Sequence, residues 1–228
     1  VEIMAQVARW AADTATYVGA QSTTGAFATA LATTHSYSGA GAINTSDSIE
    51  AKKLLGDKAD LLKIAMMHGY VSADALKDGL ITNVLQNQVS AEMFRSGSIG
   101  LFLGMNTYSN DVFCAPASDV YPTYFAAPGA IVSHMKSVPV SAETAGFVRN
   151  FEVNGIKIQV EQSRTQDRGG TDSITARISI AAGVQGLAWG STANPTWTAL
   201  ATGSNWSKVT GWPDKNIKIV RVTNSLSA

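Results

Sequence analysis

The sequence predicts an α+β fold, and three patterns along the chain support this prediction. Apolar residues recur at helical spacing over residues 1–19. Short strand and helix patterns alternate between residues 47 and 79, and strand patterns dominate from residue 99 onward. A helical first part, an alternating second part and a β-rich remainder together indicate a protein that combines helices with an antiparallel sheet.

The composition is that of a globular protein with no net charge. At 228 residues, 45% of them apolar, the chain is long enough for one large domain or two small ones. Seventeen basic residues offset seventeen acidic ones, so no overall field attracts the chain to nucleic acid. The apolar runs fall far short of the ~20 residues that span a bilayer, and we expect a soluble protein.

Cys114 is the single cysteine of the chain. A lone cysteine excludes intramolecular disulfides and a zinc site made of cysteines, and it fits a reducing compartment. We expect a buried, unreactive thiol, because free cysteine behaves as a small apolar side chain. The chain begins with Val1 and enters a helical pattern at once, so we expect a processed product or a fragment of a longer protein.

The first 19 residues predict an amphipathic helix that lies along a surface. Gly19 is the predicted stop or kink, and the small residues from Gly25 to Thr33 are a candidate extension. Residues three and four apart share a helix face, which defines a buried stripe, a flanking aromatic stripe and a wet face. The buried stripe consists of Met4, Val7, Ala11, Ala15 and Val18. The aromatic stripe beside it consists of Ile3, Trp10 and Tyr17, and the solvent-facing side consists of Glu2, Gln6, Arg9, Asp13 and Thr16.

Residues 36–82 predict alternating elements after a turn-rich connection. Asp47 followed by Glu50 resembles a capping box, and we expect the helix that it opens to run to Leu62. Residues 63–67 predict a short strand, and residues 72–77 predict a helix with Gly79 as its C-terminal cap. The segment 84–98 is ambiguous between helix and strand.

The β-rich part predicts an antiparallel sheet. Residues 99–108 and 121–127 are strand-like, and we expect a loop containing Pro116 and Pro122 between them. Asn154-Gly155 lies between two β-rich arms over residues 151–160, which is the strongest short hairpin signal. After the turn at 167–172, residues 173–181 alternate, and residues 216–223 form the last predicted strand. The alternation places Ile174, Ala176, Ile178 and Ile180 inward and Thr175, Arg177 and Ser179 outward.

No arrangement of residues predicts catalysis or a cofactor. His35, His68 and His134 are far apart in sequence and have no ligand-like spacing. A hydrolase using Ser133 or Ser141 with a histidine is a distant alternative. Ser133 and His134 are adjacent, but neighbouring strand residues point to opposite faces, which argues against their pairing. The glycine-rich residues 39–44 lack a P-loop lysine and indicate a flexible connection. Glu161, Asp167 and Asp172 are candidate calcium ligands, but Arg164 and Arg168 between them favour a solvated tip with ion pairs.

Three of the five tryptophans, Trp197, Trp206 and Trp212, lie within a short stretch near the C-terminus. Aromatic rings near turns can form a binding platform for sugars, or they can lock a terminal segment onto a core. A β-rich carbohydrate-binding module that uses these three rings is therefore the alternative function for this chain. The flanking strand patterns favour the lock, with a short capped helix from about Pro195.

Three separate segments carry further motifs. The first is ISIAAGVQGLAWGSTANPTWTALATGSNWSKV at residues 178–209, followed by KNIKIVRV at 215–222. The second is DKADLLKIAMMHGYVSADALKDGLI at 57–81, in which a short strand ends in Met-His before a helix. The third, weaker one is TYFAAPGAIV at 123–132. In order and spacing, the three segments resemble the major capsid proteins of tailed bacteriophages and prophages.

The resemblance covers roughly residues 45–225 and implies the Hong Kong 97 type capsid fold. Residues 1–35 and about 120–182 would form the peripheral domain, with a long spine helix and long antiparallel strands. Residues of about 36–119 and 183–228 would form a mixed α/β axial domain. The family's N-terminal arm and extended loop precede the spine helix, and neither lies after Val1, so we expect that they were trimmed or lie upstream.

The resemblance also implies a function without enzymatic activity. The chain would be a structural subunit that binds copies of itself as pentamers and hexamers, in a virion capsid assembled in the bacterial cytoplasm. Scaffold, protease and portal proteins would be further partners, and packaged DNA would be enclosed without sequence readout, with no membrane and no cofactor. The structural signature consists of Trp10, His68, Gly186, Trp189, Asn194, Pro195, Trp206 and Asn216.

Overall fold

The computed structural model describes residues 2–82, 98–136, 148–153, 156–164 and 172–225. It is a mixed α+β protein, as predicted, with helices and several sheets. The chain divides into two compact units. The smaller unit contains residues 1–18 and 133–182, and the larger unit contains residues 19–132 and 183–228. The ambiguous segment 84–98 lies almost entirely outside the described residues.

The described helices and strands are numbered here in chain order. The α-helices are α1 (Glu2–Ala28), α2 (Thr45–Lys53), α3 (Gly69–Lys77) and α4 (Trp197–Ala201). Short 3-10 helices occupy Gly56–Leu61, Gly203–Asn205 and Asp214–Asn216. The strands are β1 (Ser36–Ser38), β2 (Ile64–Met67), β3 (Ile81–Thr82), β4 (Gly100–Phe102), β5 (Met105–Ser109), β6 (Val120–Ala126), β7 (Ile131–Lys136), β8 (Val148–Val153), β9 (Ile156–Arg164), β10 (Asp172–Arg177), β11 (Ser179–Val184), β12 (Leu187–Trp189), β13 (Trp206–Lys208) and β14 (Ile219–Ser225).

Helix α1 is longer than its first stripe predicted. It continues through Gly19 to Ala28, so the predicted stop at Gly19 is wrong and the extension is confirmed in part. Glycine costs a helix only about 1 kcal/mol relative to alanine, and tertiary packing readily outweighs that cost. Ala11 and Val18 are buried on the predicted stripe, whereas Trp10 is 46% exposed. None of the described helices combines the length and the apolar character that crossing a membrane requires.

The helix cap before α2 lies three residues earlier than predicted. Asn44 is the N-cap: its side-chain oxygen accepts from the Asp47 backbone N–H at 2.8 Å, and its amide donates to the Asp47 carboxylate. The prediction of Asp47 as the cap of one helix to Leu62 is therefore wrong. The helix ends at Lys53, and a 3-10 helix begins at Gly56, whose φ of +54° leaves the α-helical region.

The sheet of the larger unit has seven strands in the order β1-β14-β6-β2-β5-β4-β3. The region predicted as one strand at 99–108 is a hairpin, because Leu103 and Gly104 both have positive φ and form a two-residue turn. Pro122, predicted to lie in a loop, lies within β6 opposite Thr223 of β14. Strand β2 pairs with β6 only at residues 124–126, so the missing N–H of Pro122 interrupts no ladder there.

Both faces of this sheet are covered by apolar side chains. On one face, Phe125 and Met67 pack with Ala51 of α2 and Val71 of α3. On the other face, Tyr124 and Ile219 pack with the C-terminal half of α1, where Phe27 lies 5.4 Å from the Tyr124 ring. The predicted strand at 63–67 is confirmed as β2, and Gly79, with φ +68°, follows α3 as predicted.

The smaller unit contains an antiparallel sheet in the order β10-β9-β8. Val153 pairs with Ile156, so the predicted hairpin is confirmed, although its turn residues lie outside the described ones. The predicted single strand at 173–181 is two strands: β10 pairs with β9 and β11 pairs with β7, so the chain changes sheets at Ile178. Ile174, predicted to point inward, is 56% exposed; it lies on β10, which is at the edge of this sheet, and its partner on β9 is Gln162.

Candidate functional site

The tryptophan-rich segment begins with a capped helix, as predicted. Thr196, which follows Pro195, is the N-cap of α4, and its hydroxyl oxygen accepts from the Ala199 N–H at 3.2 Å. At the end of this helix, the Asn205 side chain donates to the Ala199 carbonyl oxygen at 2.9 Å. The Asn-Pro-Thr motif thus starts the helix, and Asn205 holds the turn that leads into β13.

Trp206 is the buried anchor of the segment. Its side chain is 6% exposed, and its indole N–H donates to the Leu200 carbonyl oxygen at 2.8 Å. Trp189 is its cross-strand partner in the β12–β13 pair, and the two rings meet edge to face with centroids 5.0 Å apart. Burial of a large ring together with its polar N–H fixes both position and orientation, which is the behaviour of a lock.

Two glycines let helix α1 and this segment come into close contact. A Cβ atom on Gly25 would lie 2.1 Å from the Leu200 carbonyl oxygen and 2.5 Å from the Trp206 indole nitrogen. A Cβ atom on Gly203 would lie 2.2 Å from the Thr29 hydroxyl oxygen. Real Cβ contacts essentially never fall below 3.0 Å, so only glycine fits at either position. We call this contact, residues 25–29 against 200–206, the α1 lock.

Gly186 allows a second close contact within the same unit. Its φ is +90°, and a Cβ atom there would lie 2.8 Å from the Trp212 indole nitrogen and 2.9 Å from Ile217. Its carbonyl oxygen also accepts from the Val209 N–H at 3.0 Å. The glycine of the Gly-Leu-Ala-Trp motif is therefore required both by backbone conformation and by space.

The histidine after α1 joins the same region through a closed hydrogen-bond network. His35 is 1% exposed; its Nε2 lies 3.0 Å from the Asp214 carbonyl oxygen and its Nδ1 lies 2.8 Å from the Thr34 hydroxyl. Lys208 donates to the Thr34 hydroxyl at 3.0 Å and pairs with the Asp214 carboxylate at 2.8 Å. Burial lowers the pKa of His35, and the Lys208 charge lowers it further, against the raising effect of the Asp214 carbonyl.

The other two tryptophans near the C-terminus are not buried. Trp197 is 47% exposed and Trp212 is 39% exposed. Burial by itself therefore supports the lock only at Trp206, although Trp212 also lies against Gly186. A sugar platform made of all three rings is incompatible with the burial of Trp206 in this conformation.

His68 has a structural position at the start of α3. Its Nδ1 accepts from the Tyr70 N–H at 3.2 Å, which makes it the N-cap, and its ring lies 5.0 Å from the Tyr121 ring. Asp111 accepts from the Gly69 N–H at 2.7 Å and lies 3.7 Å from the His68 Nε2. His68 therefore joins strand β2 to helix α3 and closes the helix N-terminus.

The signature residues do not converge on one site. Gly186, Trp189 and Trp206 belong to the tryptophan segment, and His68 lies at α3. Asn216 ends a 3-10 helix, and its N–H donates to the Pro213 carbonyl oxygen at 2.9 Å. Trp10 belongs to the smaller unit. Asn194 lies exposed in the loop before α4, next to half-buried Pro195.

The sequence candidates for chemistry have structural or exposed positions. Ser133 and His134 are consecutive exposed residues of β7, and Ser141 lies outside the described residues. Burial raises the pKa of the Cys114 thiol above its usual range, which keeps the thiol protonated and unreactive, as expected. The Glu161 carboxylate pairs with Arg177 at 3.0 Å. Within the described ranges, no three histidine, cysteine or acidic side chains are grouped as a metal site would require.

Sequence reasoning did not identify the residues that form the closest contacts. Gly25 lies in a run of small residues, and such a run inside a helix signals close packing. Thr34, His35 and Lys208 carry no sequence signal, because their network joins positions 174 residues apart. Comparison of the chain with protein-family models and with curated proteins gives no match.

Proposed function

We propose that this protein is a self-assembling structural subunit of an icosahedral phage or prophage shell, with the Hong Kong 97 type capsid fold. The observation that carries the proposal concerns the three segments that resemble the capsid family. They supply β14, β6 and β2, which are consecutive neighbours in the seven-stranded sheet. Segments far apart in sequence that pair side by side are what a shared fold requires of matching motifs.

The division into two units also supports the proposal. One unit combines the N-terminal part of the 27-residue helix α1 with antiparallel strands, as a peripheral domain with a spine helix would. The other combines a mixed sheet with α2 and α3, as an axial domain would. The Hong Kong 97 type fold is a more specific proposal than the α+β class, and assembly is the direct test of the proposed structural role.

Exposed aromatic side chains on α1 are candidate contacts between copies. Trp10 is 46% exposed and Tyr17, one heptad later, is 39% exposed. Large aromatic side chains that lose water on association contribute most to protein interfaces. The spine helix would thus present part of its aromatic stripe to a neighbouring subunit.

Assembly is tested by electron microscopy of the protein expressed from its complete gene. We expect closed shells, hexamers or pentamers, and monomers alone at all salt and protein concentrations would exclude the proposal. The variant Trp10→Ala should raise the protein concentration needed for assembly while leaving the circular dichroism spectrum unchanged. Gln6→Ala, also exposed on α1, is the matched control and should assemble as the parent does. Equal assembly of both variants would remove Trp10 from the interface.

The carbohydrate-binding alternative keeps one specific observation, the exposure of Trp197 and Trp212. Its test is a fluorescence titration with a panel of oligosaccharides. Binding that shifts tryptophan emission and disappears in Trp197→Ala would favour the alternative. Shell formation without such binding would favour the structural subunit.

A further inference from the structure

We propose that His35 forms a pH-dependent contact. It holds residues 206–217 against the end of α1 when its ring is neutral, and it releases them when the ring is protonated. This inference does not rest on the capsid proposal. It concerns the network of Thr34, His35, Lys208 and Asp214 in the larger unit.

The network allows one tautomer of His35. A carbonyl oxygen can only accept, so the Nε2 that lies 3.0 Å from the Asp214 carbonyl oxygen must carry a hydrogen. An ammonium group can only donate, so the Thr34 hydroxyl oxygen accepts from Lys208 at 3.0 Å. The hydroxyl hydrogen of Thr34 is then directed to the His35 Nδ1, 2.8 Å away. When the Thr34 hydroxyl donates to Nδ1, the Nδ1 is an acceptor and the ring is neutral.

A second proton on the ring breaks this arrangement. With hydrogen on Nδ1, the two lone pairs of the Thr34 hydroxyl oxygen accept from Nδ1 and Lys208, and the Thr34 hydroxyl hydrogen loses the Nδ1 as its acceptor. A positive ring would also lie close to the Lys208 charge in a site that is 1% exposed. Both effects disfavour the protonated ring, and movement of β13 or of the 3-10 helix away from His35 relieves both.

The charged groups on the elements next to His35 have defined partners. Lys208 on β13 pairs with Asp214 at 2.8 Å; the Asp214 carboxylate and the Ile217 backbone raise the pKa of His35, against the larger lowering effect of burial. Lys215 on the same 3-10 helix pairs with Asp57 at 3.2 Å, on the exposed surface. Arg221 on β14 donates from its backbone to the His35 carbonyl oxygen at 2.8 Å. The Arg221 guanidinium donates to the Ser36 hydroxyl and lies over the Phe27 ring.

The sign of the pH effect follows from this balance. The pKa of His35 is lowered in the folded protein, so the unfolded chain binds more protons below its ordinary value near 6.5. The stabilising contribution of the neutral ring is complete above about pH 6.5 and is lost as pH falls from there toward the folded-state pKa. Within this window, the effect of His35 should raise the unfolding equilibrium constant by up to about tenfold for each unit by which the pH falls.

The first test compares urea unfolding of the protein with that of His35→Gln between pH 5 and 8. Glutamine can donate to the Asp214 carbonyl oxygen and accept from Thr34 without titrating. We expect the His35→Gln variant to lose up to about a tenfold change per pH unit that the parent shows below about pH 6.5. The exposed His134→Gln is the control and should keep the parent's pH dependence. Identical pH profiles for the parent and His35→Gln would overturn the proposal.

The second test reads the ring and the segment directly and does not depend on a variant that folds. Histidines labelled with ¹³C and ¹⁵N should show the His35 ring as the neutral Nε2–H tautomer at pH 6, and titration at or above 6.5 would overturn the proposal. Hydrogen exchange corrected for intrinsic rates should accelerate in residues 206–217 between pH 7.5 and 5.5, ahead of β6. Acceleration of both regions by the same factor would also contradict a local release.

Discussion

The seven-stranded sheet and the three-stranded sheet of this protein differ in how their faces are covered. Phe125 and Tyr124 are neighbours on β6, point to opposite faces, and are both almost completely buried. In the β10-β9-β8 sheet, Ile158 is 1% exposed, whereas Phe151 opposite it is 37% exposed and Ile174 is 56% exposed. The first sheet satisfies its apolar faces within its own unit. The second leaves apolar side chains at its surface.

The largest expected effect breaks the packing on the first sheet. Phe125→Ala should destabilise the protein by about 3–5 kcal/mol, because it empties a fully buried site beside the stacked Phe102 ring. Phe151→Ala should cost less than about 1 kcal/mol, the range of a cross-strand pair on a half-exposed face. Urea unfolding of both variants measures the contrast. Similar losses for the two would mean that the sheets are packed alike.

The α1 lock allows two glycines of the same helix to be compared. Gly25→Ala should cost about 3 kcal/mol, because the added carbon meets a backbone carbonyl oxygen that cannot rotate away. Gly19→Ala is the matched control: its added carbon would lie 3.5 Å from Phe113, an ordinary contact. This control should stabilise the protein by about 0.5–1 kcal/mol through helix propensity. Thermal unfolding distinguishes them, and equal effects would exclude the lock as a site of close packing.

A smaller effect is expected from the indole hydrogen bond of Trp206. Trp206→Phe keeps an aromatic ring but leaves the Leu200 carbonyl oxygen without that donor, at a cost of about 1–3 kcal/mol. Trp10→Phe, at a ring that is 46% exposed, is the control and should change stability by less than about 0.5 kcal/mol. Acrylamide quenching should leave Trp206 protected in the parent. Rapid quenching of Trp206 would contradict its role as the anchor.

The smallest effect should come from the surface of the three-stranded sheet. The Arg177–Glu161 pair has side-chain exposures of 55% and 22%, so Arg177→Ala should cost about 0.2–1 kcal/mol. Salt at 1 M should remove most of this difference between the parent and the variant, because it screens exposed charges. A larger, salt-independent loss would show that the arginine packs rather than pairs.

Several elements followed from local sequence alone. The Asn-Gly dipeptide between β-rich arms predicted the β8–β9 hairpin, and the apolar run before His68 predicted β2 to within one residue. Gly79 was identified as a helix terminator because positive φ is a local property. The burial predicted for the tryptophan segment is confirmed at Trp206 and is wrong for Trp197 and Trp212, which are 47% and 39% exposed. These signals are short-range, so one sequence is enough to read them.

The errors arose where distant residues decide the outcome. Gly19 does not stop α1, because packing of the whole helix outweighs one residue's propensity. Ile174 follows an alternating pattern, but its exposure depends on what packs against that face of the sheet. The turn at Leu103 was missed because leucine rarely adopts positive φ. In each case the deciding partner lies outside the sequence window that makes the prediction.

The sequence by itself determined that the chain is an α+β protein, where many of its strands run, and that its tryptophans gather near the C-terminus. The tertiary structure decided which tryptophan is buried, why Gly25 and Gly203 must be glycines, and how His35 joins Lys208 and Asp214. Hydrophobic periodicity and turn chemistry act between near neighbours and are therefore visible in a sequence. Burial, close contact and hydrogen-bond networks join residues far apart along the chain, and only folding brings those residues together.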